Sequence, residues 1–272
     1  MLFDELLLDG YAGRLRAAQE LALLAGDSTL DFYQTDRLTV ERKGDNSPVT
    51  VADRHAEQLV RTRLAELYPD DAVLGEEFGG HAGSSEFQWI VDPIDGTKSF
   101  ITGVPLYSTL LALVHEGSVL AGIVYIPPLR ECVLAVRGRG AWWSVGGQPA
   151  RRASVSQRPL AEGIFVTSQV DSFRKRNAWE GFLRMEQAAY VTRTWGDGYG
   201  YLLVATGRAE VMVDPIANPW DLAAAQAIVT EAGGTFSSWS GSPSYSAGDG
   251  VGSNGRVHAE VLAALGGAGT AR

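Results

Sequence analysis

Residues 92–97, Asp-Pro-Ile-Asp-Gly-Thr, combine two acids with a turn that can approach an anion closely. Asp92 and Asp95 follow an apolar run and stand three residues apart, so their carboxylates can converge on a hard cation such as Mg²⁺. Gly96 permits close backbone approach, and the N–H groups of Gly96 and Thr97 at a helix start can bind a phosphate. A rigid surface turn carrying two solvated acids explains the same residues equally well.

Three further acids stand where an element begins or ends. Glu76 follows the apolar run 72–74 and precedes another glutamate, and such neighbours repel each other unless a cation is close. Asp221 lies in the first turn of a helix capped by Asn218, where it can simply complement the helix dipole. Asp53 opens a second helix and can act as its cap. Taken singly, each acid therefore has an explanation that involves no metal.

Hydrophobic periodicity predicts the elements that position these acids, with helices near the N-terminus and a sheet around residues 92–97. The predicted helices are 12–33, 53–67, 172–186, 198–207 and 220–232. The predicted strands are 88–91, 106–115, 119–126, 132–136, 140–145, 163–167, 190–194, 210–213 and 235–237. The strands on either side of residues 116–118 form a predicted hairpin.

Composition limits the functional classes. The 272 residues carry a net charge of −9, which argues against nucleic acid as a partner because phosphate backbones demand clustered Lys and Arg. The single cysteine, Cys132, excludes an internal disulfide and a cysteine-based zinc site. Apolar runs are too short to span a bilayer, and the N-terminus is acidic where a secretory signal is basic. We therefore expect a cytoplasmic enzyme with no membrane partner.

Two longer stretches resemble the signatures of the inositol monophosphatase family. Residues 89–97, Trp-Ile-Val-Asp-Pro-Ile-Asp-Gly-Thr, are similar to the first signature. Residues 220–234, Trp-Asp-Leu-Ala-Ala-Ala-Gln-Ala-Ile-Val-Thr-Glu-Ala-Gly-Gly, are similar to the second. The resemblance implies an α/β (α+β) fold, a layered α-β-α-β-α sandwich, as one catalytic domain over residues 1–266. The metal-site half would end at about residue 150, the substrate half would be 151–266, and 267–272 would be a disordered tail.

The resemblance also implies the metal ligands of a Mg²⁺-dependent phosphomonoester hydrolase. Glu76, Asp92 and the carbonyl of Ile94 would hold one Mg²⁺. Asp92, Asp95 and Asp221 would hold a second, and a third, weaker ion is expected near Glu76. Metal coordination lowers the pKa of water and so supplies a nucleophile for attack on phosphorus.

Other residues take their expected roles from the same resemblance. Asp53 and Thr97, hydrogen-bonded to each other, would orient and activate the attacking water, and Glu76 would share in this catalytic group. The backbone N–H groups of Gly96 and Thr97 would bind phosphate oxygens. Lys43 would support the site. Members of the family are commonly homodimers, so a homodimer is expected here.

The substrate is predicted from the second half of the chain. Asp197 follows Gly196 and precedes aromatic residues, which is similar to the bacterial histidinol-phosphate phosphatase branch of the family. Asp197 and Asp214 would attract the ammonium and imidazole of histidinol phosphate, with Asp95 and Asp221 also lining the substrate site. A helix cap at Asp197 and a plain turn at Asp214 remain open. Inositol 1-phosphate hydrolysis, a broad phosphomonoesterase and a catalytically silent metal-binding regulatory protein are the alternative functions.

Overall fold

The computed structural model describes residues 10–36, 38, 40–42, 44 and 48–266. Lys43 and the expected tail at 267–272 therefore lie outside the described residues. The helices are α1 (Ala12–Thr29), α2 (Val51–Leu67), α3 (Thr97–Ile101), α4 (Asp171–Lys175), α5 (Trp179–Ala188), α6 (Asp197–Ala205), α7 (Pro219–Glu231) and α8 (His258–Leu265).

The strands alternate with these helices mainly in the second half of the chain. They are β1 (Val40–Arg42), β2 (Pro48–Thr50), β3 (Ala72–Gly75), β4 (Gly79–His81), β5 (Phe87–Asp95), β6 (Ser108–His115), β7 (Ser118–Ile126), β8 (Glu131–Val136), β9 (Gly140–Val145), β10 (Arg151–Arg152), β11 (Ile164–Thr167), β12 (Val191–Arg193), β13 (Val211–Asp214), β14 (Thr235–Ser237) and β15 (Gly250–Ser253).

Among the described strands, two sheets carry most of the fold. The larger has the order β10-β9-β8-β7-β6-β5-β3-β4 and is antiparallel except where β3 pairs with β5. The smaller has the order β12-β11-β13-β15-β14, with β12, β11 and β13 parallel. Parallel strands need crossover connections. Helix α6 is part of the connection from β12 to β13.

Side-chain alternation along the larger sheet gives it two buried faces. Val91 and Leu111 pack against α1 and α2. Their sequence neighbours Ile90 and Leu110 face the other way, against α6 and α7. The smaller sheet repeats this arrangement, because Met212 joins the core around α6 and α7 whereas its neighbours pack towards α4, α5 and α8. The order of layers is thus α-β-α-β-α, and the predicted fold is confirmed.

The boundaries differ from the prediction at several points. The predicted helix 172–186 is wrong, because the chain turns at Asn177, which adopts a positive φ of 58°, and separates α4 from α5. Helix α2 begins before Asp53: Thr50 is its cap, and Asp53 is the third helical residue, which accepts from the Thr50 amide in a capping box. Strand β5 is longer than predicted and includes residues 92–95.

Candidate active site

The two acids of residues 92–97 lie at the end of a central strand that contains a β-bulge. Side chains three residues apart on a regular strand point to opposite faces. Asp92 pairs with Leu110, however, and Asp95 pairs with Ser108, so β5 contains one more residue than β6 over this interval. A bulge of this kind re-aims a side chain and tolerates Pro93, which has no N–H to give to the sheet. It brings the two carboxylates to the same side.

Helix α7 brings Asp221 to these carboxylates. The backbone N–H of Asn218 donates to Asp221 Oδ2 at 2.7 Å, which fixes the acid in the first turn. Ligand oxygens of Asp92, Asp95 and Asp221 all lie within 4.8 Å of one another. Asp92 and Asp95 are buried and Asp221 is half-buried, and we call these three residues the buried acid group. The sequence separates Asp221 from the other two by more than 120 positions, and the packing of α7 on the sheet brings them together.

Glu76 and Ile94 stand beside the buried acid group. Glu76 follows β3, and its amide donates to the carbonyl of Val91 at 3.3 Å. It lies outside the group of three but close enough to Asp92 for its negative charge to act there. The Ile94 carbonyl accepts from Thr97 Oγ1 at 3.2 Å, and the Ile94 amide donates to Asp92 Oδ1 at 3.1 Å.

The electrostatics of the buried acid group suit a bound cation. Burial raises the pKa of Asp92 well above its ordinary value, and the charges of Glu76, Asp95 and Asp221 raise it further. Burial likewise raises the pKa of Asp95 well above the ordinary value and that of Asp221 to about 7. Carboxylates crowded together out of water destabilise one another, so a divalent cation among them would relieve a cost that the fold otherwise carries.

The predicted hydrogen bond between Asp53 and Thr97 is wrong. Asp53 Oδ2 instead accepts from both the amide and the hydroxyl of Thr50, at 2.8 and 2.5 Å. The Thr97 hydroxyl donates to Ile94, as described above. Asp53 Oδ1 is buried and has no hydrogen-bond partner among the described residues. Burial raises the pKa of Asp53 to about 6, with the charge of Glu76 adding to the effect.

The phosphate-binding site predicted at Gly96 and Thr97 lies at the start of α3. Gly96 precedes the helix with a φ of 85°, a left-handed conformation that favours glycine. A Cβ at Gly96 would approach Asp197 Oδ2 to 2.8 Å. The predicted phosphate-binding site and Asp197, which is predicted to bind the substrate, are therefore immediate neighbours.

A cavity of about 160 Å³ joins the buried acid group to Asp197 and Asp214, the residues predicted to bind the substrate. Asp197 is the first residue of α6 and has a positive φ of 56°, whereas the cap position belongs to Gly196. Asp214 ends β13 and is buried. Burial raises the pKa of Asp197, and it raises that of Asp214 to about 7. Asp95 and Asp221, for which substrate binding stays a prediction, line the same cavity.

A match across nearly the whole chain now decides the family. A model of the inositol monophosphatase family matches residues 13–268. The chain belongs to the inositol monophosphatase family. Its relatives identify it as a phosphatase, a phosphoric monoester hydrolase.

Individual relatives of this inositol monophosphatase family member cover almost its full length. It is 42% identical over 253 residues to a histidinol-phosphatase of Chlorobaculum parvum, spanning 93% of this chain and 96% of that protein. It is 39% identical over 260 residues to a histidinol-phosphatase of Streptomyces coelicolor, spanning 94% and 97%. The extragenic suppressor protein suhB from Bartonella henselae superposes with a TM-score of 0.84 at 27% identity, over 93% of this chain and 98% of that one.

The donors of this family member suit a metal. Members of the family are metal-dependent, and buried carboxylate oxygens without cysteine or histidine are the ligands of hard divalent ions. No helix among the described residues has both the length and the apolar content required to cross a membrane.

Ser168, which was not predicted from the sequence, links the two acids predicted to bind the substrate of this family member. Its hydroxyl donates to Asp214 Oδ1 at 2.7 Å and accepts from the Asp197 amide at 2.8 Å. Ser108 was also missed; its hydroxyl donates to Asp95 Oδ2 at 3.0 Å. Ser168 directly follows a predicted strand, and ligands in α/β sheets bind beyond the carboxyl ends of strands. The position of Ser168 at the end of a strand could therefore have identified it from the sequence.

Proposed function

We propose that this protein is a Mg²⁺-dependent hydrolase of L-histidinol phosphate that releases L-histidinol and inorganic phosphate in histidine biosynthesis. The observation that carries the proposal is the pair of carboxylates in the cavity beside the buried acid group, half-buried Asp197 and buried Asp214. Histidinol phosphate offers an ammonium and an imidazole to these acids, whereas inositol 1-phosphate offers only hydroxyls there. The histidinol-phosphatase relatives at 42% and 39% identity support the same substrate.

The metal would be held by the acids at the end of β5 and their neighbours. Glu76, Asp92, the Ile94 carbonyl, Asp95 and Asp221 would bind two or three Mg²⁺ ions. When bound, Mg²⁺ supplies Lewis acidity that makes water a nucleophile and offsets the negative charge of the phosphoryl group.

The remaining steps belong to the side chains and backbone of this chain. Asp53 has a buried oxygen, Oδ1, with no hydrogen-bond partner among the described residues, and this oxygen can accept a hydrogen bond from the attacking water. Thr97 would orient that water, with Glu76 beside it. The backbone N–H groups of Gly96 and Thr97 would bind phosphate oxygens at the start of α3. Lys43 stays a prediction, as do the homodimer and the cytoplasmic location.

Asp197 and Asp214 would bind the cationic end of the substrate. Ser168 holds them in a fixed relation, because it bonds the Asp214 side chain and the Asp197 backbone at once. A substrate cation placed between half-buried Asp197 and buried Asp214 gains a stronger interaction than it would in open water. A neutral polyol could offer these acids hydrogen bonds from its hydroxyls but no opposite charge, so it would offset less of the cost of their desolvation.

Inositol 1-phosphate hydrolysis or a broad phosphomonoesterase activity remains the alternative of the same class. A catalytically silent metal-binding role is the alternative of a different class, and the presence of every acid expected at the metal site argues against it. Activity assays of the wild type and of Asp95→Asn test the silent role. If the wild type hydrolyses none of the candidate esters, so that Asp95→Asn has no activity to abolish, the silent role gains support.

Steady-state kinetics with both esters in saturating Mg²⁺ test the substrate. We expect a higher kcat/KM for histidinol phosphate than for inositol 1-phosphate. Asp197→Asn should lower kcat/KM for histidinol phosphate by about tenfold or more, since hydrogen bonds to charged groups contribute about 1.5–3 kcal/mol, and should affect the neutral ester much less. Asp171→Asn, on the exposed side of α4, is the matched control. Equal losses on both esters, or better turnover of inositol 1-phosphate, would reject the proposal.

A further inference from the structure

Glu57 is a buried acid that the functional site described above does not use. It lies on α2 one turn after Asp53, so both side chains point from the same face of the helix towards the active site. Its side chain is fully buried. A buried carboxylate is costly unless it is paired and hydrogen-bonded, so its partners indicate its purpose.

The partners of Glu57 belong to the turn that carries Glu76. Glu57 Oε2 accepts from the Glu77 amide at 2.8 Å, and Oε1 accepts from the Phe78 amide at 3.3 Å. Gly75, on the other side of Glu76, leaves room for this carboxylate, because a Cβ there would stand 2.1 Å from Glu57 Oε1. Glu57 therefore contacts the chain immediately before and immediately after Glu76.

Arg61 completes the hold of α2 on this turn. Its Nε donates to Glu57 Oε1 at 2.7 Å, one helical turn further along α2. Its other guanidinium nitrogen donates to the carbonyl of Gly79, where the turn ends. The ion pair fixes the Glu57 carboxylate and neutralises its charge, so the carboxylate adds little repulsion to the acids nearby.

We propose that Glu57 is a positioning residue that sets the place of Glu76 relative to Asp92 and thereby the affinity of the metal site. The inference rests on the proposed metal dependence. Residues that orient metal ligands through hydrogen bonds typically contribute 10- to 100-fold to metal affinity or activity. Glu57 acts on Glu76 through the backbone, because the Glu57 carboxylate accepts hydrogen bonds from the two backbone amides that follow Glu76 in the chain.

Two variants test this role. Glu57→Gln keeps the size and one acceptor but loses the charge that pairs with Arg61, and Glu57→Asp keeps the charge but withdraws it from the turn. Both should raise the Mg²⁺ concentration for half-maximal activity, by about tenfold, with KM for histidinol phosphate unchanged. Mn²⁺ binding followed by electron paramagnetic resonance without substrate should weaken by the same factor. Glu66→Gln, at an exposed ion pair on the same helix, is the matched control.

The outcomes separate the positioning role from a merely structural one. A lower Tm with metal affinity within about twofold of the wild type, the scatter of neutral substitutions, would overturn the inference. If a Glu57 variant does not fold at the assay temperature, Arg61→Gln removes the same hold from the other side and must weaken Mn²⁺ binding. A wild-type protein that binds no Mn²⁺ and needs no Mg²⁺ would instead contradict the proposed function.

Discussion

Among the residues that the structure describes, two groups bring three possible metal ligands within 4.8 Å of one another, and the two groups differ in burial. The buried acid group lies at the bulge of β5 and the start of α7. The second, which we call the surface group, consists of Glu86, His115 and Glu116 at the hairpin end of the larger sheet. There the Glu86 side chain is 71% exposed, and the His115 ring stacks on Phe87 at 4.5 Å.

The two groups show that carboxylates can lie close together without needing a cation. Water screens the exposed acids of the surface group, so they can stand together without a cation. The acids of the buried group have lost that screening, and burial raises the pKa of each of them. A cation would therefore stabilise the buried acid group, whereas the surface group can do without one. Burial of like charge, rather than distance alone, indicates the metal site.

The largest expected effect is that of Asp92→Asn. The charges of Glu76, Asp95 and Asp221 all act on Asp92, so Asp92 lies at the centre of the expected metal ligands. Its loss should lower both Mg²⁺ affinity and kcat/KM by more than about 100-fold, the upper range for residues that only orient ligands. The metal-free variant should also have a higher Tm than the metal-free wild type, because one buried negative charge is gone. Calorimetry and steady-state assays measure both. An active, metal-responsive Asp92→Asn enzyme would remove the distinction between the two groups.

The next effect is on the pH dependence of stability without metal. A folded-state pKa raised above the unfolded value contributes stability that is complete below the unfolded pKa and is lost as the pH rises through the folded pKa. Asp214 and Asp221, with values of about 7, and Asp53, with about 6, place that loss between about pH 4 and pH 8. The Tm in EDTA should fall by about 3 °C or more from pH 5 to pH 8.

A distant histidine and added Mg²⁺ provide the controls for that measurement. Burial lowers the pKa of His258, which lies between the hydroxyls of Ser237 and Ser253. Its contribution has the opposite sign, because a neutral buried histidine loses stability as the pH falls below about 6.5. Saturating Mg²⁺ should cancel the carboxylate effect and leave the His258 effect. Parallel curves with EDTA and with Mg²⁺ would contradict a cation requirement of the buried group.

The sequence predicts the acids of the site better than the geometry that unites them. Residues 92–97 and Asp221 were identified from their motifs, but the bulge that turns Asp92 and Asp95 to one side depends on the pairing of β5 with β6. Pairing register is a property of two strands together, so one strand does not reveal it. The linking hydroxyl of Ser168 was missed for the same reason, since both of its partners lie far away along the chain.

The fold shows the same division between local pattern and tertiary contact. Long periodic segments, such as α1 and the hairpin of β6 and β7, were predicted correctly in type. Strand β15 was missed because Gly250 and Gly252 have low strand propensity. It forms because β13 and β14 pair on either side of it. Helix α8 was also missed; its Val261 and Leu265 pack into the core under the smaller sheet.

The smallest expected effect is at the surface group. Glu86→Gln and Glu116→Gln should each leave kcat/KM, the Mg²⁺ requirement and the Tm in EDTA unchanged within about twofold or about 0.5 kcal/mol, the usual range for exposed positions. Glu116 is exposed, and its charge is already solvated, so removing it relieves no buried repulsion. Assayed beside Asp92→Asn, these variants measure what burial contributes at equal ligand spacing. If Glu116→Gln weakened Mg²⁺ activation as strongly as Asp92→Asn, spacing alone would indicate a metal site and the argument from burial would fail.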